Sequence, residues 1–82
     1  MTSATEADFE ADVFESGVNV IFKPTRSYYT FIRLSENKHV ARFAPLSRDA
    51  SVRHAEGDTG DYDPVQVLEI AYQVALKATG QA

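Results

Sequence analysis

Asp63-Pro64-Val65-Gln66-Val67-Leu68-Glu69-Ile70-Ala71-Tyr72-Gln73-Val74-Ala75-Leu76-Lys77-Ala78-Thr79-Gly80 is the stretch on which the fold turns. Asp63 has N-cap chemistry, Pro64 suits the first helical position, and Gln66 stands at capping-box spacing. Lys77 falls in the last turn and Gly80 can close it, so the pattern predicts a helix over Pro64 to Thr79. At 100° per residue, Gln66, Glu69, Gln73 and Lys77 share one arc of about 80°, which leaves an apolar arc of roughly 240°. A helix lying on one sheet needs a stripe only a little wider than ~100°. Leu68, Ala71 and Ala75 occupy the middle of that arc, with Val67, Ile70 and Val74 on one flank and Val65, Tyr72 and Leu76 on the other. The excess has two accounts. Either a flank meets a partner, with Val65, Tyr72 and Leu76 as the candidate interface, or the N-terminal segment folds back over the helix through Phe9, Val13 or Phe14.

Upstream of the helix the periodicity changes to that of strands. Tyr28 to Leu34 is rich in aromatic and β-branched residues and is the strongest strand signal. Val18, Val20 and Phe22 alternate with Asn19 and Ile21, and Lys23-Pro24-Thr25-Arg26-Ser27 breaks the run as a turn. Asp8 to Glu15 has acids suited to a helix start, yet wound as a helix it has no clean apolar face. Alternation of Phe9, Ala11 and Val13 with Glu10 and Asp12 favours a strand, with Ser16-Gly17 as the following turn. His39 to Ala44 is a further expected strand, stopped by Pro45. Leu46 to Asp63 is expected to be a long polar connection with one short strand at Ser51 to Ala55. The expected fold is therefore α+β, an antiparallel β-meander of three to five strands packed by one C-terminal α-helix. Residues 1–7 are expected to be a flexible, frayed N-terminus and residues 8–82 a single small domain.

Length and composition agree with one domain. A chain of 82 residues cannot build two cores and buries little more than ~60% of its unfolded surface. With 44% hydrophobic and 24% charged residues it has the composition of a folding chain rather than a disordered one. The absence of cysteine removes disulfides, thiolate nucleophiles and thiolate zinc sites together, and fits a reducing, cytoplasmic setting. Met1 to Glu6 has neither a basic nor an apolar signal-peptide region, and no apolar run approaches ~18 residues, so neither export nor a membrane span is expected.

The net charge of −4 hides a strong segregation. Glu6, Asp8, Glu10, Asp12 and Glu15 make residues 1–22 wholly acidic, and residues 55–82 are also acidic. Lys23, Arg26, Arg33, Lys38, Arg42, Arg48 and Arg53 make the middle basic. Within that middle, Arg26, Tyr28, Tyr29, Phe31, Arg33, His39, Arg42 and Phe43 mix cations with rings, as surfaces that bind single-stranded nucleic acid do. Alternation puts Tyr29, Phe31 and Arg33 on one face and Tyr28, Thr30, Ile32 and Leu34 on the other. If the second set is buried, Arg26, Tyr29, Phe31, Arg33 and Arg42 are the candidate nucleic-acid contacts. The acidic total and the sequence pI of 4.9 oppose a strong binder, because phosphate neutralisation dominates such affinity.

Motifs for chemistry are weak. Asp58-Thr59-Gly60 is the tripeptide found at the active site of retroviral-type aspartic proteases, but there it lies between apolar strands. Here it sits between Glu56-Gly57 and Asp61-Tyr62-Asp63, so the context departs on both sides and no family resemblance follows. Glu56, Asp58, Asp61 and Asp63 could wrap a hard cation, yet the spacing is not that of an EF-hand, and loop acids with a helix cap explain the same residues. His39 and His54 have no second ligand at metal spacing, and Ser47 and Ser51 lack a nucleophile elbow. No catalytic residue, metal ligand or cofactor is expected. The leading functional expectation is a non-enzymatic protein-protein interaction module or accessory protein, expected to form a homodimer or to bind another protein. The alternatives are a single-stranded nucleic-acid-binding domain and a small acidic inhibitor of the kind phages encode.

Overall fold

A computed structural model of the chain describes residues 2–34, 45–55 and 58–80. Four strands, β1 (Phe9–Phe14), β2 (Gly17–Phe22), β3 (Ser27–Arg33) and β4 (Leu46–His54), form one antiparallel sheet in the order β1-β2-β3-β4. One helix, α1 (Pro64–Ala78), packs on one face of it. The architecture is thus the expected α+β meander with a C-terminal helix. The strand expected at His39 to Ala44 lies outside the described residues.

The helix ends are set by the expected residues, with one exception. The Asp63 carboxylate accepts a hydrogen bond from the Val65 N–H at 3.0 Å, which satisfies one of the free donors of the first turn. Gly80 takes a φ of 75° just past the C-cap Thr79, a backbone region that costs glycine nothing. Gln66 does not close a capping box. Its side-chain oxygen instead accepts the N–H of Ala4 at 3.3 Å.

That bond belongs to a strap. The frayed terminus expected at residues 1–7 is, from Thr2 onward, laid along the helix. Thr2 donates its N–H to the Asp61 carbonyl at 3.0 Å, Ala4 is buried, and Glu6 pairs with Lys77 at 2.6 Å. A 3₁₀ turn at Glu6–Asp8, in which the Asp8 carboxylate accepts the Thr5 N–H at 3.0 Å, then leads into β1. Gln66 and Lys77 border Ile70 and Val74 at 100° per residue, so the strap takes that side of the apolar arc. The N-terminal segment does fold back on the helix, but through Ala4 and Glu6 rather than through Val13 or Phe14.

The core forms where α1 crosses the sheet, mainly over β1 and β2 and less over β3. Val67, Ala71 and Ala75 are fully buried at the contact, whereas Leu68 is only partly covered. The strap and β1 draw the helix towards its Val67 side. Register sets which strand residues meet it. Phe9 pairs with Phe22, Val20 with Tyr29 and Val18 with Phe31, so all six point at the helix. The Phe22 ring stands 4.9 Å from that of Phe9 and edge-on to Tyr62 at 4.8 Å. The Lys23–Arg26 turn fixes this register, with Arg26 closing it at a φ of 55°.

β4 is longer than expected, beginning at Leu46 rather than Ser51. Leu46 is buried opposite Arg33 and anchors the strand, and a register shift follows between Phe31 and Arg33. Ser47, Arg48 and Asp49 are polar because an edge strand needs few buried side chains.

Gly17 is the tightest point of the sheet. A Cβ there would run into the Phe31 carbonyl oxygen and stand 3.1 Å from the Ile32 Cα, and because these are backbone atoms of β3 nothing yields cheaply. Gly17→Ala is expected to lose roughly 3 kcal/mol or more, read as a lower urea midpoint at unchanged slope.

Candidate interaction surface

The face of the sheet opposite α1 carries no second layer among the described residues. Strand pairing arranges it in rows. Glu10 pairs with Ile21, Ile21 with Tyr28 and Tyr28 with Arg53, which makes one row run from acid through two apolar groups to base. The next row is Asp12, Asn19, Thr30 and Ser51, in which the Thr30 hydroxyl donates to the Asn19 side-chain oxygen at 2.7 Å. The third is Phe14, Gly17 and Ile32. Tyr28 is 37% exposed, Ile32 46% and Leu34, just past β3, 62%. Asp12, Asn19, Ile21, Tyr28, Thr30 and Arg53 line a shallow hollow in the first two rows.

This placement corrects the expected nucleic-acid strip. Tyr29 and Phe31 are 2% and 0% exposed and Arg33 6%, because pairing with Val20, Val18 and Leu46 turns them under the helix. Buried rings offer no face for a base to stack on. Arg26 is exposed in the β2–β3 turn, and Arg42 lies outside the described residues. The outward set is Tyr28, Thr30 and Ile32.

The candidate helix flank is divided. Tyr72 packs on Phe31 with ring centroids 5.6 Å apart. The Arg48 guanidinium lies 5.5 Å from the Tyr72 centroid and 3.5 Å from Glu69. Leu76 is partly buried against the core, while Val65 is 74% exposed. Of the three, Val65 alone is largely open.

Of the loop acids, Asp58 and Asp63 have local duties, and Glu56 lies outside the described residues. The Asp58 carboxylate accepts the Gly60 N–H at 2.9 Å, and the Thr59 hydroxyl donates to the Tyr62 carbonyl at 3.0 Å. The tripeptide is a turn that delivers Asp63 to the helix start. Among the described residues no three metal-ligating side chains converge, and no helix is long and apolar enough to cross a membrane.

A side-chain chain absent from the expectations links Thr25, Ser27 and His54. Their oxygens and Nδ1 stand 2.9 Å apart at each step. A Ser-His contact is the start of a nucleophile, but Ser27 is completely buried and no substrate carbonyl can reach it. Its hydroxyl is instead held within the sheet, between the Thr25 hydroxyl and His54 Nδ1. Only the pairing of Ser27 with His54 across β3 and β4 brings these groups together, and the sequence spacing carries no sign of it.

The chain matches no protein-family model, no curated protein and no solved structure. Its own residues carry the functional reading.

Burial pushes the Tyr29 phenol above its ordinary value near 10, outweighing the opposite pull of the Ser27 hydrogen bond. The folded state therefore holds the phenol neutral while the unfolded chain ionises it at the ordinary value. The stability this contributes is complete below about pH 10 and is lost as pH rises beyond it. Urea unfolding from pH 8 to 11 is expected to show that alkaline loss, and Tyr29→Phe to diminish it.

Proposed function

We propose that this chain is a protein-protein interaction module without catalytic activity, self-associating through the uncovered face of its sheet. The observation that carries the reading is the outward set of Tyr28, Ile32 and Leu34, exposed on a sheet whose single helix lies on the other side. Exposed aromatic and branched side chains with a charged rim are the composition of a docking patch. Arg53 and the pair Glu10 and Asp12 supply that rim from the two edge strands.

Two features set the surface apart from the alternatives. A strand face that binds single-stranded nucleic acid needs its rings outside, and Tyr29 and Phe31 are inside. The outward face also presents two carboxylates, which repel phosphate. The helix flank at Val65, Tyr72 and Leu76 has spent Tyr72 on the chain's own Phe31 and Arg48.

Light scattering across a concentration series from about micromolar to about millimolar tests the reading. The mass is expected to rise towards that of a dimer, and Ile32→Lys to abolish the rise while Val65→Lys leaves it intact. A monomer throughout the series overturns the reading. The reverse ranking of the two variants moves the interface to the helix flank.

A further inference from the structure

We infer that the outer face binds a second copy of the chain about a two-fold axis parallel to the strands, so that β1 of each protomer lies against β4 of the other. The inference rests on the interaction-module reading and adds the partner and its orientation. The observation behind it is the order of side chains in the rows. Glu10, Ile21, Tyr28 and Arg53 run acid, apolar, aromatic, base across the sheet.

A two-fold axis lying between the sheets brings this face onto its copy in a closed pair, and two directions, along the strands and across them, keep the strands of the two sheets aligned. An axis running across the strands sets β1 on β1 and reverses the order of the rows, so that about the middle row Asp12 meets its own copy while Glu10 meets Phe14. Like charges so juxtaposed oppose association. An axis running along the strands reverses each row onto itself. Glu10 then faces Arg53 of the second copy, Ile21 faces its Tyr28, and both contacts occur twice.

The middle row agrees with the second axis. In it Asp12 faces a Ser51 hydroxyl, an acceptor against a donor. Asn19 faces Thr30, and its amide donors are not used by the bond that its oxygen accepts from Thr30 of its own chain. Sheets packed in this way stay within about 30° of parallel, as their twist requires.

Within one chain these charges are too far apart to meet. Glu10 and Arg53 stand on the two edge strands, separated by three strand spacings or about 14 Å. Glu10, Asp12 and Arg53 have no ion-pair partner among the described residues. The footprint is modest. Four strands of five or six residues cover roughly 400 Å² per partner, at the low end for specific interfaces, which points to a weak and reversible dimer.

Charge exchange tests the arrangement. Glu10→Arg sets a second cation against Arg53 of the other copy, and Arg53→Glu sets a second carboxylate against its Glu10. Each variant alone is therefore expected to lose about tenfold in dimer affinity. Mixed one to one, the two variants restore one cation and one carboxylate where the faces carry unlike charges, and are expected to form a heterodimer in preference to either homodimer by native mass spectrometry. The double variant E10R/R53E is expected to recover the homodimer close to wild-type affinity. Thermal unfolding checks that both single variants stay folded. If either does not, the double variant and a rise in the wild-type dissociation constant with added salt carry the test. A double variant no more dimeric than either single variant, beside a wild type that dimerises and an Ile32→Lys variant that does not, overturns the orientation and leaves the module reading standing. A wild-type chain monomeric to about millimolar overturns both.

Discussion

A sheet has two faces, and among the described residues one α-helix packs on this one and covers a single face. Everything else in the structure is arranged around that shortage. Antiparallel sheets tolerate one wet face when it is polar, and here the middle row of Asp12, Asn19, Thr30 and Ser51 meets that condition. The rows on either side do not, because Ile21 and Tyr28 lie in one and Phe14 and Ile32 in the other. The uncovered face is therefore mixed rather than polar, and its apolar residues lie inside a rim of charge at the two edge strands.

The helix spends most of its own apolar surplus within the chain, with Val65 left largely open. Its arc is too wide for the sheet alone, and the two ends of that arc are closed by different means. On the Ile70 and Val74 side the strap supplies Ala4 and ties itself down through Gln66 and Lys77. On the other side Phe31 reaches Tyr72 and Arg48 lies over the ring. Both ion pairs of this arrangement are solvent-exposed and each contributes less than about 1 kcal/mol. Burial of Ala4, Val67, Ala71 and Ala75 therefore holds the layers together, and the charges fix their alignment.

The meander and the helix were legible from period and punctuation, because Pro24, Gly17, Asp63, Pro64 and Gly80 sit where the turns and caps need them. The parity of β3 was harder, since Tyr28, Ile32 and Leu34 are as apolar as Tyr29 and Phe31. The deciding residues lay on β2, where Asn19 marks the outward set and Val18, Val20 and Phe22 the inward one. A Lys23–Arg26 turn that pairs Phe22 with Ser27 transfers that parity to Tyr29 and Phe31. β4 left a weaker trace, because Leu46 and the half-buried Ala50 are the apolar groups it commits to the core, and Ser47, Arg48 and Asp49 resemble loop between them. The strap left none. A single alanine among Thr2, Ser3 and Thr5 has no periodicity, and its partners Gln66 and Lys77 are 62 and 71 residues distant from Ala4 and Glu6.

Sign segregation along the chain acquires a structural meaning once the strand order is known. The acidic block supplies β1 and the basic middle ends in β4, so the two edges of the sheet carry opposite charge. Opposite edges attract in two ways. Laid edge to edge, β1 of one copy beside β4 of the next leaves a free edge at each end, and the contact repeats without closing. Laid face to face about an axis along the strands, the same charges meet in pairs and nothing is left over. Charges on the outward side chains of an edge strand discourage the first arrangement, since they stand off the plane in which a new strand would bond. They point instead in the direction of the second, over the Ile21, Tyr28 and Ile32 side chains that the helix does not reach.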